Sequence, residues 1–433
     1  MEKVEDVVII GAGIAGLATA AALKRVGVRA VVLERFDELR ATGTALSLFP
    51  NAWLALDALG VSHKLTPLYV PTIRGSVTNV GTGATQQISF TVSSYYSLFG
   101  MMQWWNCTQI GASQSPPGGP RGGAASRHHM FLLEAGLPRD TKAKGLTNCR
   151  DTPRRWGCHQ GQGKLQLVLV GCDGVHSVVA RWLGLGTTVN SGRSVVRGLA
   201  VYPEGHGFNQ EVQQFVDVGK RAGFVPLGDK ELYWSSYLQQ NHKPAAGEME
   251  GDAEAVLREV TENFAKDFPP KYLDVLKHSD PSSLAWGPVT FRLPWDVLFR
   301  NACKGNITVA GDAMHPMTPD LAQGDCAALE DAICLGQHIG ESVIQHGKLV
   351  PQETAKAIQS YVKERRWRVA GLVAGSWLSG WVQVSGSGWL MKFFRDVIFY
   401  RLICKRIVDV MHYDCGKLPS IGLYHEDCRT KIE

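Results

Sequence analysis

The chain reads as an α/β protein: a doubly wound, dinucleotide-binding sheet, a second domain on a mixed or antiparallel sheet, and C-terminal helices. Three observations predict this. An apolar run at residues 7–10, a glycine-rich turn, an Ala/Leu-rich helical stretch and a second run at 29–34 form a strand–helix–strand unit. Two later runs, 165–170 and 307–310, each end in an Asp- and Gly-containing turn, as further strands of one sheet would. Between them, residues 195–238 hold short alternating segments rich in Val, Tyr, Phe and Trp, the pattern of antiparallel strands.

Each element follows from local chemistry. Residues 7–10 (VVII) have no polar face, so that strand is buried on both sides. Residues 12–26 first meet polar side chains at Thr19, Lys24 and Arg25 and read as a buried helix. The second sheet begins at 74–87 and resumes in segments 213–218, 223–226 and 232–238. Residues 251–277 look helical, with Ala255, Leu257, Val260 and Phe264 at helical spacing, and further helices are predicted over about 323–339 and 352–378. Residues 389–411 carry an apolar stripe opposite Lys392, Arg395, Arg401, Lys405 and Arg406. The favoured reading is a helix packed on the body or at a subunit contact; membrane contact by this amphipathic helix is the alternative. Residues 100–163 break the pattern, with no valine, one isoleucine and about one quarter Gly plus Pro. Such material has little to bury and is expected to be a poorly ordered loop or an alternatively translated stretch.

Composition narrows the function. The 433 residues suffice for two domains. The net charge of +5 is local: residues 100–165 hold nine Lys/Arg and three Asp/Glu, leaving 36 against 37 elsewhere, so no nucleic-acid partner is expected. Ten cysteines without a CxxC pair suit reduced thiols, and neither they nor the thirteen histidines, which lack an HxxxH pair, indicate a metal site. A strand begins within a few residues of Met1 and no apolar run reaches membrane-spanning length, so a cytoplasmic location is expected.

Three motifs carry chemistry. Gly11, Gly13 and Gly16 make GxGxxG between a strand and a helix: a tight turn, room for a pyrophosphate, and close helix–strand packing, with helix-terminal N–H groups facing the phosphates. Glu34, eighteen residues past Gly16, ends the second strand where it could accept both ribose hydroxyls of an adenosine. The second motif, Asp173-Gly174 followed by Ser177, is either a dinucleotide-proximal loop or an Asp-Gly turn with a serine cap. In the third, Asp312 ends the 307–310 strand, where it could accept a polyol hydroxyl, and Gly324 opens a helix whose positive end suits an anionic ring.

In this order and at these separations, the motifs resemble the class A flavoprotein monooxygenases of the p-hydroxybenzoate hydroxylase fold, and most closely the plant members similar to salicylate hydroxylase and zeaxanthin epoxidase. The stretch from Arg40 to Ala52 resembles the same family, and the likeness covers about residues 3–85 and 165–410. It implies a Rossmann-like (GR2-type) FAD-binding domain from residues 1–75, 164–190 and 295–345. A substrate sheet over 76–99 and 191–294 and a helical region over 346–433 complete it. It further implies that Gly11, Gly13, Ala15 and Gly16 line the FAD pyrophosphate, that Glu34 and Arg35 hold the adenosine, and that Arg40 lies near the phosphates. Asp312 would bind the ribityl chain, Gly324 would sit by the isoalloxazine, and Asp173 and Gly174 would serve both FAD and NAD(P)H. NADPH or NADH would reduce the flavin, O2 would add at C4a, and the hydroperoxide would oxygenate a small aromatic or olefinic substrate. Such chemistry is the cofactor's own, and no catalytic side chain is assigned. Asp320, Ala322 and Asp325 stand where relatives commonly show Asn, Gly and Gly. Residues 100–163 occupy the place of a family helix whose first arginine touches the flavin. That leaves two alternatives: a flavoprotein reductase or dehydrogenase, and an impaired, non-catalytic member.

Overall fold

The computed structural model describes residues 6–36, 46–68, 71–72, 74–89, 107–110, 168–239, 252–384 and 410–420. Numbered along the chain, β1 (Val7–Ile10), β2 (Ala30–Leu33), β8 (Val168–Gly171), β14 (Cys303–Lys304) and β15 (Ile307–Val309) form a sheet ordered β14-β15-β8-β1-β2. Its neighbours are parallel except β14 and β15. Val7 of β1 pairs with Ala30 on one side and Val168 on the other, so three distant stretches share one sheet.

Four helices surround it: α1 (Ile14–Arg25), α2 (Pro50–Ala58), α8 (Gly324–His346) and α9 (Pro351–Val384), with α3 (Ser62–Leu65), α4 (Val178–Leu183) and α7 (Pro294–Phe299) as short connectors. Ile9, Leu23, Leu56 and Tyr361 lie at the centre of this core. Each such aliphatic side chain, taken fully from water, contributes about 1.5–3 kcal/mol.

The second sheet comprises β5 (Arg74–Asn79), β6 (Thr85–Ser89), β9 (Val189–Val201), β10 (Glu211–Asp217), β11 (Lys220–Pro226), β12 (Glu231–Gln239) and β13 (Ala285–Phe291). Its order is β13-β9-β12-β11-β10-β5-β6, and all pairs are antiparallel except β10 with β5, so the sheet is mixed. Alternation sorts its faces. On β12, Leu232, Trp234 and Leu238 pack with α5 (Ala253–Glu259) and α6 (Pro270–Lys277), while Tyr233, Ser235 and Tyr237 line a cavity on the other side.

Within residues 100–163, expected to be loop, Cys107–Ile110 is a strand (β7) between β3 (Leu46–Leu48) and β4 (Pro71–Thr72). Thr108 and Ile110 are β-branched and suit a strand, and two edge strands supply its hydrogen bonds. The rest of that segment, Arg40, and residues 389–409 of the amphipathic stretch lie outside the described residues. Among the described residues no helix is long and apolar enough to cross a membrane.

Candidate active site

The turns after β1, β8 and β15 meet at the strands' carboxyl ends. Gly11 leaves β1 with φ +101°, and its amide donates to the Leu33 carbonyl at 2.8 Å. A Cβ on Gly11 would collide with the Cys172 carbonyl oxygen, and one on Gly16 with the Gly11 carbonyl oxygen. Backbone approach therefore dictates both glycines. A Cβ at exposed Gly13 would meet nothing within 4 Å. The adjoining N-terminus of α1 has no side-chain cap, which leaves amides facing that open space. The Ala15 methyl borders Gly311, so the first motif touches the third.

Glu34 stands at the mouth of the first turn. Its Oε2 accepts the Ala12 N–H at 2.8 Å, and its Oε1 accepts those of Arg35 and Phe36 at 2.9 and 3.2 Å. The exposed Arg35 guanidinium lies 4.6 Å from the Phe36 ring centre. Asp173 accepts the Ser177 hydroxyl at 2.5 Å and the Val178 N–H at 2.7 Å, while Ser177 Oγ caps Ala180 N–H at 2.9 Å. Of the two readings the sequence left open, this geometry displays the cap; the Asp173 Cα nonetheless borders Gly11.

Asp312 follows β15 in a 3-10 turn, Gly311–Ala313, and its carboxyl reaches toward Gly324 at the start of α8. It is solvent-accessible yet enclosed by protein. Poor hydration raises its pKa, and His315 and Arg292 pull it back. The turn is held from behind by buried polar groups. Asp331 Oδ2 accepts the Gly311 N–H at 2.9 Å and lies 2.6 Å from His315 Nε2, while its Oδ1 accepts from Arg365 at 2.7 Å. Burial alone would raise the Asp331 carboxyl; His315 and Arg365 overcome it and bring the pKa to about 2. Glu330 completes the network with Arg365, Arg368 and Asn51. Arg292 donates to the Ala313 and Met314 carbonyls at 2.9 and 3.1 Å, tying the end of the second sheet to the same turn.

The loop before α8 explains two of the departures from relatives. Buried Asp320 receives both terminal nitrogens of Arg193 at 2.9 and 2.7 Å and Arg221 at 2.8 Å, a carboxylate bridging two guanidiniums that asparagine could not neutralise. Ala322 has φ +50°, the one positive value at a non-glycine among the described residues, where glycine would be unstrained. Asp325, half-buried in the first turn of α8, has its pKa raised to about 7 by burial and by Asp312, against the pull of Arg197.

A cavity of about 560 Å³ joins this loop to the second sheet, lined among others by Arg197, Tyr233, Trp286, Asp312, Gly324 and Asp325. The residue types fit FAD. Open space at Gly13 and free amides suit a pyrophosphate, Asp312 offers an acceptor for hydroxyls, and Gly324 leaves room for a flat ring. Sequence reasoning did not find Arg193, Arg221 or Arg292, because nothing local marks an arginine whose partner lies far along the chain.

This fold and crevice define an FAD-binding oxidoreductase. Residues 6–72 match the family described as FAD dependent oxidoreductase, and residues 167–376 the FAD binding domain family. The chain is 34% identical to Monooxygenase 2 of Arabidopsis thaliana, with 95% of this chain and 98% of that protein covered. It is 30% identical to Monooxygenase 1 of the same plant, with 96% and 100% covered. The crystal structure of Klebsiella pneumoniae HpxO complexed with FAD and uric acid shares the fold, with a TM-score of 0.70, 22% identity, and 95% and 96% covered. The chain belongs to the class A FAD-dependent monooxygenases.

Proposed function

We propose that the protein consumes NADPH or NADH together with O2 and inserts one oxygen atom into a small aromatic or olefinic substrate. The cavity between Asp312–Gly324 and the second sheet carries this reading: it places a polar, aromatic-walled chamber beside the position proposed for the flavin ring. In this reading Gly11, Gly13, Ala15 and Gly16 line the pyrophosphate, Glu34 and Arg35 hold the adenosine, Arg40 approaches the phosphates, and Asp173-Gly174 borders both cofactors. Asp312 takes the ribityl hydroxyls and Gly324 the ring. Bound FAD supplies the redox and oxygen-activating chemistry.

The chain's own side chains orient and enclose. Arg292 and Asp331 fix the turn that presents Asp312. Tyr233, Tyr237 and Trp286 form walls that suit a flat ligand and keep water from it, while Arg197 offers charge to a polar substituent. Among the described residues, Cys172, Cys303, Cys326, Cys334 and Cys415 form no disulfide.

The test uses purified holoenzyme with NADPH or NADH, candidate phenols and isotopically labelled O2. Flavin absorbance, substrate-stimulated cofactor oxidation and one labelled oxygen atom in the product are expected. Oxidation that yields hydrogen peroxide alone would replace the monooxygenase reading with that of a reductase.

A further inference from the structure

We propose a second ligand site, a divalent metal site for zinc, formed by Cys334, His338 and Glu364 between α8 and α9. Cys334 and His338 stand four residues apart on α8, one helical turn, and so share a face. Glu364 comes from α9, and its Oε2 lies 2.8 Å from His338 Nε2. The three potential ligand atoms all lie within 4.8 Å of one another. Tetrahedral zinc, with bonds of about 2.0–2.3 Å, needs ligand atoms about 3.3–3.8 Å apart. The present spacing therefore needs a small contraction on one side and a small opening between His338 and Glu364. Both of these side chains are partly exposed, at 23% and 40%, and can make that adjustment; the same exposure admits water as a fourth ligand.

The donor set selects the ion. One sulfur, one imidazole nitrogen and one carboxylate oxygen suit zinc and disfavour calcium or magnesium, which prefer oxygen throughout. The surrounding charge permits a cation, because the neighbouring guanidinium of Arg365 is already matched by Glu330 and Asp331. Binding replaces the Cys334 S–H bond with a sulfur–metal bond and releases that proton to solvent. It also breaks the His338–Glu364 hydrogen bond, whose proton goes to solvent while the neutral imidazole keeps its hydrogen on Nδ1, away from the metal. The site has no part in the proposed flavin chemistry. Cys334 lies ten residues along α8 from Gly324, a rise of about 15 Å, so an ion here would clip α8 to α9 behind the crevice.

The full-length holoenzyme, treated with chelator and then titrated with cobalt(II), tests this. Cobalt in a tetrahedral thiolate site absorbs in the red, clear of the flavin bands. The expected result is one equivalent of cobalt with those bands, displaced by zinc, and a zinc-dependent rise in melting temperature of a few degrees. Cys334→Ser should abolish the thiolate bands, and His338→Gln, at a more exposed position, should weaken zinc binding at least tenfold. Flavin content should stay unchanged in both variants, which separates failure here from failure of the monooxygenase reading. The proposal falls if the holoenzyme binds no cobalt at micromolar concentration, or if the bands and affinity survive both substitutions.

Discussion

The turn after β1 and the loop leading into α8 border the same crevice but are built differently. The first is shaped by missing side chains: Gly11 and Gly16 sit where any Cβ would strike a backbone carbonyl. The second is shaped by buried charge, with Asp320 clamped by Arg193 from β9 and Arg221 from β11. At Gly16 the steric rule acts over five residues of chain, whereas the Asp320 clamp reaches back 127 residues to Arg193. The two should therefore fail differently. The glycine turn should fail through lost cofactor, and the clamp through lost stability.

The largest effect is expected at the clamp. Asp320→Ala leaves two guanidiniums, each under a tenth exposed, without a counter-charge, which should cost about 3–5 kcal/mol. Urea unfolding measures this. A loss below about 1 kcal/mol would mean that the arginines find water and that the loop does not depend on its buried charge. Gly16→Val comes next. Overpacking against the Gly11 carbonyl should cost about 1–3 kcal/mol of stability, and displacement of the turn should remove most bound flavin. Absorbance of the purified variant reads the second effect directly, and a variant that folds stably and retains its flavin would contradict the steric account.

What was legible in the sequence follows the same division. Gly16 could be read because the carbonyl that constrains it is a near neighbour, Gly11 because the turn that follows the strand needs its positive φ, and Gly13 as part of the same local spacing; Glu34 could be read because a strand end fixes its place. The parallel and antiparallel sheets could be read from apolar runs and alternation. Arg193, Arg221 and Arg292 could not, since an isolated arginine in a strand gives no sign of whether it meets solvent or a carboxylate a hundred residues away. Cys334 and His338 escaped for a simpler reason: their four-residue spacing mixes two ligand types, and Glu364 joins them only through helix packing. Asp320 and Ala322 were visible as departures, but only the loop's geometry says why the first is useful and the second strained.

Asp325 sharpens the comparison with a pH dependence. Its folded pKa, about 7, lies above the ordinary value of 3.8, so the folded chain holds this proton more firmly than the unfolded chain does. Its contribution to stability is full below about pH 4 and is lost as the pH rises toward 7. Allowing for partial exposure, the change should be of order 2 kcal/mol. Asp325→Asn should flatten that part of the cofactor-free protein's stability curve. If wild type and variant run parallel between pH 4 and 7, Asp312 and burial do not perturb Asp325 as described.

The smallest effect tests whether the loop's charge clamp holds strained backbone in place. Ala322 adopts a left-handed conformation that costs an alanine about 1–2 kcal/mol relative to glycine. Glycine also gains freedom in the unfolded chain, which offsets part of that relief. Ala322→Gly should therefore stabilise the protein by about 0.5–1 kcal/mol, a small rise in melting temperature. In an Asp320→Ala background the loop loses its anchors and the alanine can relax to a right-handed conformation, so the same substitution should become neutral or destabilising. A double-mutant cycle measures that change of sign. If the gain is the same in both backgrounds, the left-handed turn is set by its own neighbours, and the clamp contributes stability without shaping the loop.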